Sequence, residues 1–117
     1  MITVTKIFTF DSAHHLPFHK GKCKNLHGHT YKLEVTVGGE PDENGLVIDF
    51  GDLKKIVSEN IIEKYDHRNL NDFFEHPTAE IMVGSIALEL AKTIPGVKKV
   101  RLWETPTSYA EWTDESN

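Results

Sequence analysis

The sequence predicts an α+β fold, an antiparallel four-stranded sheet with two helices on one face. Three observations lead there. Long stretches toward both ends alternate apolar and polar residues, the period of a half-buried strand. The middle of the chain switches to apolar positions three and four apart, the period of a helix. The element order is β-β-(β)-α-α-β-β, with short turn-rich connections between strands and the helices grouped together. Such a sheet has two open edges, which association of copies would cover.

In chain order, residues 2 to 14 form the first strand. Its even positions Ile2, Val4, Lys6, Phe8, Phe10, Ser12 and His14 make the more apolar face. A charged, histidine-rich loop follows, and the second strand runs from His27 to about Gly38. Its odd positions, His27, His29, Tyr31, Leu33, Val35 and Val37, face the core. Gly39-Glu40-Pro41-Asp42-Glu43-Asn44-Gly45 is turn-forming and leads to a short strand at Leu46-Val47-Ile48. Asp49 caps a helix over residues 50 to 64, with Leu53, Ile56, Val57 and Ile61 as its buried stripe. Tyr65-Asp66-His67-Arg68-Asn69-Leu70-Asn71 reads as a polar loop. Pro77-Thr78 opens a second helix to Thr93, burying Val83, Ile86, Ala87, Leu90 and Ile94, and Pro95-Gly96 stops it. Residues 97 to 105 form a strand with Val100, Leu102 and Glu104 on one face. Residues 108 to 112 form the last strand, and 114 to 117 a frayed tail.

A chain of 117 residues is expected to be one domain over 1–117. The net charge of −5 argues against a general nucleic-acid binder, although a local basic cluster can still receive a small anionic substrate. No run is long and apolar enough for a membrane span, and the first residues lack the pattern of a secretory signal. The one cysteine cannot form an internal disulfide, which fits a reducing, cytoplasmic setting.

His27 and His29 are two apart on one strand, sharing the inward face, and His14 faces inward if the first strand runs without a bulge; a bulge would exchange it with His15. Three neutral imidazoles with an open position are a catalytic zinc arrangement. Cys23 is the alternative fourth ligand of a closed structural site. Its neighbours Lys20, Lys22 and Lys24 favour thiolate and so a free, reactive sulfur, and they would suit a polyphosphate. Asp66 and His67 can supply an oriented base for Cys23. Glu104 needs a partner on its apolar face and has the geometry to accept an amidine-like N–C–N edge. His19 and His76 read as surface residues.

Six stretches stand out: Phe10-Asp11-Ser12-Ala13-His14-His15-Leu16, Cys23-Lys24-Asn25-Leu26-His27-Gly28-His29, Gly45-Leu46-Val47-Ile48-Asp49-Phe50, Asp66-His67-Arg68-Asn69-Leu70-Asn71, Pro77-Thr78-Ala79-Glu80 and Glu104-Thr105. In them the chain resembles the 6-pyruvoyltetrahydropterin synthase family and, more closely, its 6-carboxy-5,6,7,8-tetrahydropterin synthase branch. The resemblance implies the tunnelling fold, a homo-oligomer (trimer or dimer of trimers) with sites between subunits, and zinc on His14, His27 and His29. It implies Cys23 as proton acceptor with His67 and Asp66. It further implies Glu104 as pterin anchor and as a catalytic member of the proton relay, Thr78 and Glu80 lining the pterin pocket, and 7,8-dihydroneopterin triphosphate as substrate. The three-residue spacing from Cys23 to His27 resembles the carboxy-forming enzymes of queuosine biosynthesis. The rivals are a pyruvoyl-forming enzyme and a non-catalytic, zinc-stabilised oligomer. His15 stands where family members often have arginine, and the last strand matches weakly.

Overall fold

The computed structural model describes residues 1–115. Strand β1 (Ile2–His14) and strand β2 (His27–Gly39) form a long hairpin whose register is unbroken from Ile2 opposite Gly39 to His14 opposite His27. Helix α1 begins at Phe50–Val57, widens through a π-helical stretch at Ser58–Ile62 and ends with the turn Glu63–Tyr65. Strand β3 is Arg68–Asn69, helix α2 is Ala79–Thr93, strand β4 is Val97–Thr105 and strand β5 is Ser108–Thr113. The sheet order is β3-β1-β2-β4-β5, antiparallel except where β3 runs parallel to β1.

The sheet therefore has five strands, not four. The extra one is two polar residues long and pairs through its main chain, Arg68 beside Ser12 and Asn69 beside Ala13, so it leaves no hydrophobic alternation to read. The strand expected at Leu46, Val47 and Ile48 does not form. Val47 and Ile48 pack on the core without a ladder partner, and Leu46 turns toward solvent. The π stretch also went unforeseen. Leu53, Val57, Ile61 and Tyr65 are buried at strict intervals of four, which an α-helix of about 3.6 residues per turn carries gradually off the core. A wider turn takes up that drift.

One core joins the inward face of the sheet to both helices. Tyr31, Leu33, Val35 and Val37 of β2 and Val100 and Leu102 of β4 meet Leu53, Val57 and Ile61 of α1 and Met82, Ile86 and Leu90 of α2. Each such side chain contributes about 1.5–3 kcal/mol on burial. Both helices are capped as the sequence indicates. Asp49 Oδ1 accepts from the N–H groups of Gly51 (2.7 Å) and Asp52 (3.1 Å), and Thr78 Oγ1 accepts from Ile81 N–H (3.2 Å). On the other face Lys32 lies over the Trp103 ring at 4.3 Å and Arg101 grips Glu111 through two nitrogens. The frayed tail expected from residue 114 does not hold for Asp114, whose N–H donates to Lys98 O at 2.9 Å; Ser116 and Asn117 lie outside the described residues. Among the described residues no helix is long and apolar enough to cross a membrane.

Candidate active site

The loop end of the β1–β2 hairpin brings three histidines together. His14 closes β1, and His27 and His29 open β2. Because the register carries no bulge, His14 rather than His15 lies on the inward face. The rings stand 4.7 Å (His14–His27), 5.0 Å (His14–His29) and 4.8 Å (His27–His29) apart, and one nitrogen from each lies within 4.8 Å of the others. His14 is fully buried.

Main-chain carbonyls orient two of the rings. His14 Nδ1–H donates to Pro77 O at 2.8 Å, and His27 Nδ1–H donates to Asn25 O at 2.7 Å. A carbonyl only accepts, so in each ring Nδ1 carries the proton and Nε2 presents a lone pair. His14 Nε2 is buried and has no hydrogen-bond partner among the described residues, although Glu104 Oε1 stands 3.4 Å away. The same carboxylate oxygen is 3.8 Å from His29 Nε2. Burial holds His14 and His29 below the ordinary imidazole value of 6.5, against the upward pull of Glu104 on both. Burial likewise pushes the Tyr31 phenol up, so its hydroxyl, 3.3 Å from His14 Nδ1, stays neutral. Three imidazoles, one of them with an orphaned buried nitrogen, and a carboxylate converge with no protein cation between them among the described residues, which is the donor set of a divalent metal with imidazole preference. The carbonyls of Pro77 and Asn25 are the outer partners such ligands use.

Cys23 sits in a single 3₁₀ turn, Lys22–Lys24, and is a free, half-buried thiol. Its sulfur is not part of the cluster of nitrogens that lie within 4.8 Å of one another. Asp66 and His67 do meet: His67 Nδ1 is 3.0 Å from Asp66 Oδ2. Their companion is Asp11 of β1 rather than the three histidines. Asp11 N–H donates to Asp66 Oδ1 at 2.9 Å, and His67 N–H donates to Asp11 O at 2.6 Å. His67 is the one non-glycine residue with positive φ (58°) among the described residues, a conformation that costs on the order of 1–2 kcal/mol and is held by those bonds. The bond to the Asp11 main chain holds the Asp66 carboxyl below the usual range, and His67 adds to the effect.

Clefts surround the cluster. One of about 510 Å³ is bordered by Asp11, His29, His67 and Arg68. Another, of about 470 Å³, runs past His29, Lys32, Trp103 and Glu104. A third, also about 470 Å³, is bordered by Glu80, Glu104 and residues of β5. Glu104 thus borders two of these clefts and approaches the histidines. Glu80 lies with it, whereas Thr78 borders the adjoining cavity beside Phe18 and His76, its hydroxyl committed to capping α2. Tyr31 was readable from strand parity, since it shares the inward face with His29. The partners contributed as main-chain carbonyls, Pro77 and Asn25, carry no side-chain signal.

The family described as 6-pyruvoyl tetrahydropterin synthase matches residues 3–115. The chain belongs to that family. A 6-carboxy-5,6,7,8-tetrahydropterin synthase of Haemophilus influenzae is 36% identical, over 97% of this chain and 100% of the relative. A dihydroneopterin monophosphate aldolase of Pyrococcus furiosus is 40% identical, over 82% of this chain and 83% of the relative. The solved 6-pyruvoyl tetrahydropterin synthase of Caenorhabditis elegans superposes with a TM-score of 0.87 at 29% identity, covering 97% of this chain and 96% of that one. The membership expected from the six motifs is borne out, and with it the α+β tunnelling fold; the family is one of enzymes.

Proposed function

We propose that this chain is a zinc-dependent 6-carboxy-5,6,7,8-tetrahydropterin synthase. It would convert 7,8-dihydroneopterin triphosphate and water to the 6-carboxy product, triphosphate and acetaldehyde, in the route to queuosine. The observation that carries the proposal is the orphaned, buried Nε2 of His14, facing His27, His29 and Glu104. A zinc ion held by these imidazoles would act as a Lewis acid on the side-chain hydroxyls of the substrate, acidifying the adjoining C–H and O–H bonds. Cys23 takes the proton on its sulfur. Asp66 orients His67, whose ring is otherwise exposed, as the base that assists Cys23. Glu104 receives the amino-pyrimidine edge of the pterin, with Glu80 in the same cleft and Thr78 in the cavity beside Phe18 and His76.

In this reading His67 faces the Cys23 of a neighbouring copy, in a trimer or a dimer of trimers. Two features support it: Asp66 and His67 stand with Asp11 apart from the histidine cluster, and the sheet ends in two open edges, β3 and β5. The name of the Pyrococcus furiosus relative favours a second reading, aldol cleavage of a dihydroneopterin monophosphate. The zinc-loaded protein, incubated with 7,8-dihydroneopterin triphosphate and separately with the monophosphate, decides by mass analysis. The 6-carboxy product with acetaldehyde from the triphosphate supports the first reading. Pyruvoyl product from the triphosphate, or turnover of the monophosphate alone, overturns it. Cys23→Ala is expected to keep its metal and lose turnover; loss of the metal would return Cys23 to the role of a structural ligand.

A further inference from the structure

Asp66 and His67 open the stretch Asp66-His67-Arg68-Asn69-Leu70-Asn71, and its far end has no part in the chemistry above. Asn71 there makes an unusual pair of bonds. Its Oδ1 accepts from His15 N–H at 2.8 Å, and its Nδ2–H donates to His15 O at 3.0 Å. One side-chain amide thus satisfies both main-chain groups of one residue, as a neighbouring strand would. The position explains the device. The β1–β3 ladder ends at Ala13 beside Asn69, and the chain then turns into the 3₁₀ stretch Leu70–Asp72, so on that edge the main chain no longer follows β1. The Asn71 amide supplies what the main chain no longer can. Asn71 is itself held, its N–H donating to Asn69 Oδ1 at 3.1 Å.

What the clamp fixes lies on either side of His15. Before it is His14, the buried member of the histidine cluster. After it is Leu16, whose N–H donates to Cys23 O at 2.7 Å. We infer that Asn71 is a positioning residue: by fixing the main chain of His15 it sets, through Leu16, where the turn carrying Cys23 stands relative to His14. The inference rests on the reading of Cys23 as proton acceptor. It also gives one short segment two tasks, His67 at its start and the placement of the thiol at its end. An aspartate at position 71 would turn an acceptor toward His15 O in place of the donor, and an alanine would offer neither bond.

The test uses the full, zinc-loaded chain. Asn71→Asp and Asn71→Ala are expected to lower kcat by about 10–100-fold while KM moves much less, the size that a displacement of about 1 Å produces. Alkylation of Cys23 by iodoacetamide should change several-fold, with bound zinc as in the unsubstituted chain. Unchanged alkylation and kcat in both variants would overturn the inference. So would loss of zinc with unchanged alkylation, which would tie Asn71 to His14 alone. Amide hydrogen exchange in the unsubstituted chain needs no variant: the His15 and Leu16 amides should be protected like those inside β1, and exchange as fast as at Lys20 in the exposed loop contradicts the clamp. If Cys23→Ala keeps full turnover, the proton-acceptor reading fails, while the alkylation and exchange results still decide whether Asn71 sets the position of the thiol.

Discussion

Replacing His14 by leucine separates metal binding from fold stability, because two costs at that site nearly cancel. In the metal-free chain His14 Nε2 is buried without a hydrogen-bond partner among the described residues, and removing it relieves about 1–3 kcal/mol of desolvation. The same substitution takes away the donor to the buried Pro77 carbonyl, which costs a similar 1–3 kcal/mol. Leucine also fills the volume better than alanine would, avoiding most of a cavity term. His14→Leu should therefore change metal-free stability by no more than about 2 kcal/mol. The metal-loaded chains differ more. At free zinc one hundred times Kd, binding stabilises the unsubstituted chain by about 2.7 kcal/mol. For a chain of this size that raises Tm by on the order of 10 °C. Calorimetry with and without zinc, together with metal analysis, reads both quantities. His14→Leu should show a metal-free Tm near that of the unsubstituted chain and no rise with zinc. An undiminished rise in the variant would refute the assignment of the cluster, and collapse of the metal-free variant would refute the cancellation.

Glu104→Gln should retain the metal and lower kcat/KM by about 10–100-fold, the worth of a charge-assisted hydrogen bond, and unchanged kcat/KM would remove Glu104 as the pterin anchor. Acid should release the metal only below the ordinary imidazole value of 6.5, since burial holds His14 and His29 under it; release already at neutral pH contradicts this. The sign for folding is the same: both imidazoles are depressed in the folded chain, so their contribution to metal-free stability is present above 6.5 and is lost as pH falls, a trend that a urea titration at several pH values measures. Gly96→Ala should lower Tm by several degrees, because φ is +86° there and the new Cβ would stand 2.7 Å from Gly38 O; an unaltered Tm means that the turn relaxes freely.

The long strands were legible because their apolar faces alternate over thirteen residues each, and an unbroken register let the parity count reach His14 and His29 without error. The cap at Asp49 and the start of the second helix at Pro77-Thr78 were legible for a local reason, a short oxygen-bearing side chain ahead of an apolar stripe. Strand β3 was not, because Arg68 and Asn69 bring only main-chain bonds to the sheet. Leu46, Val47 and Ile48 misled by being apolar without a neighbouring strand to pair with. At the site, the three histidines and their spacing were visible, whereas the groups that orient them were not. Pro77 and Asn25 act through carbonyls that every residue possesses, and Asn71 through a contact spanning 56 positions of the chain. The grouping of Asp66 and His67 with Asp11 depends on a left-handed turn at His67 that histidine does not advertise.

X-ray absorption at the zinc edge of the reconstituted protein measures the coordination directly. Three imidazole nitrogens and a light fourth atom, all at about 2.0–2.1 Å, are expected, with the Cys23 sulfur outside the shell. A sulfur scatterer at about 2.3 Å would mean that the thiol closes the site, and would contradict the account.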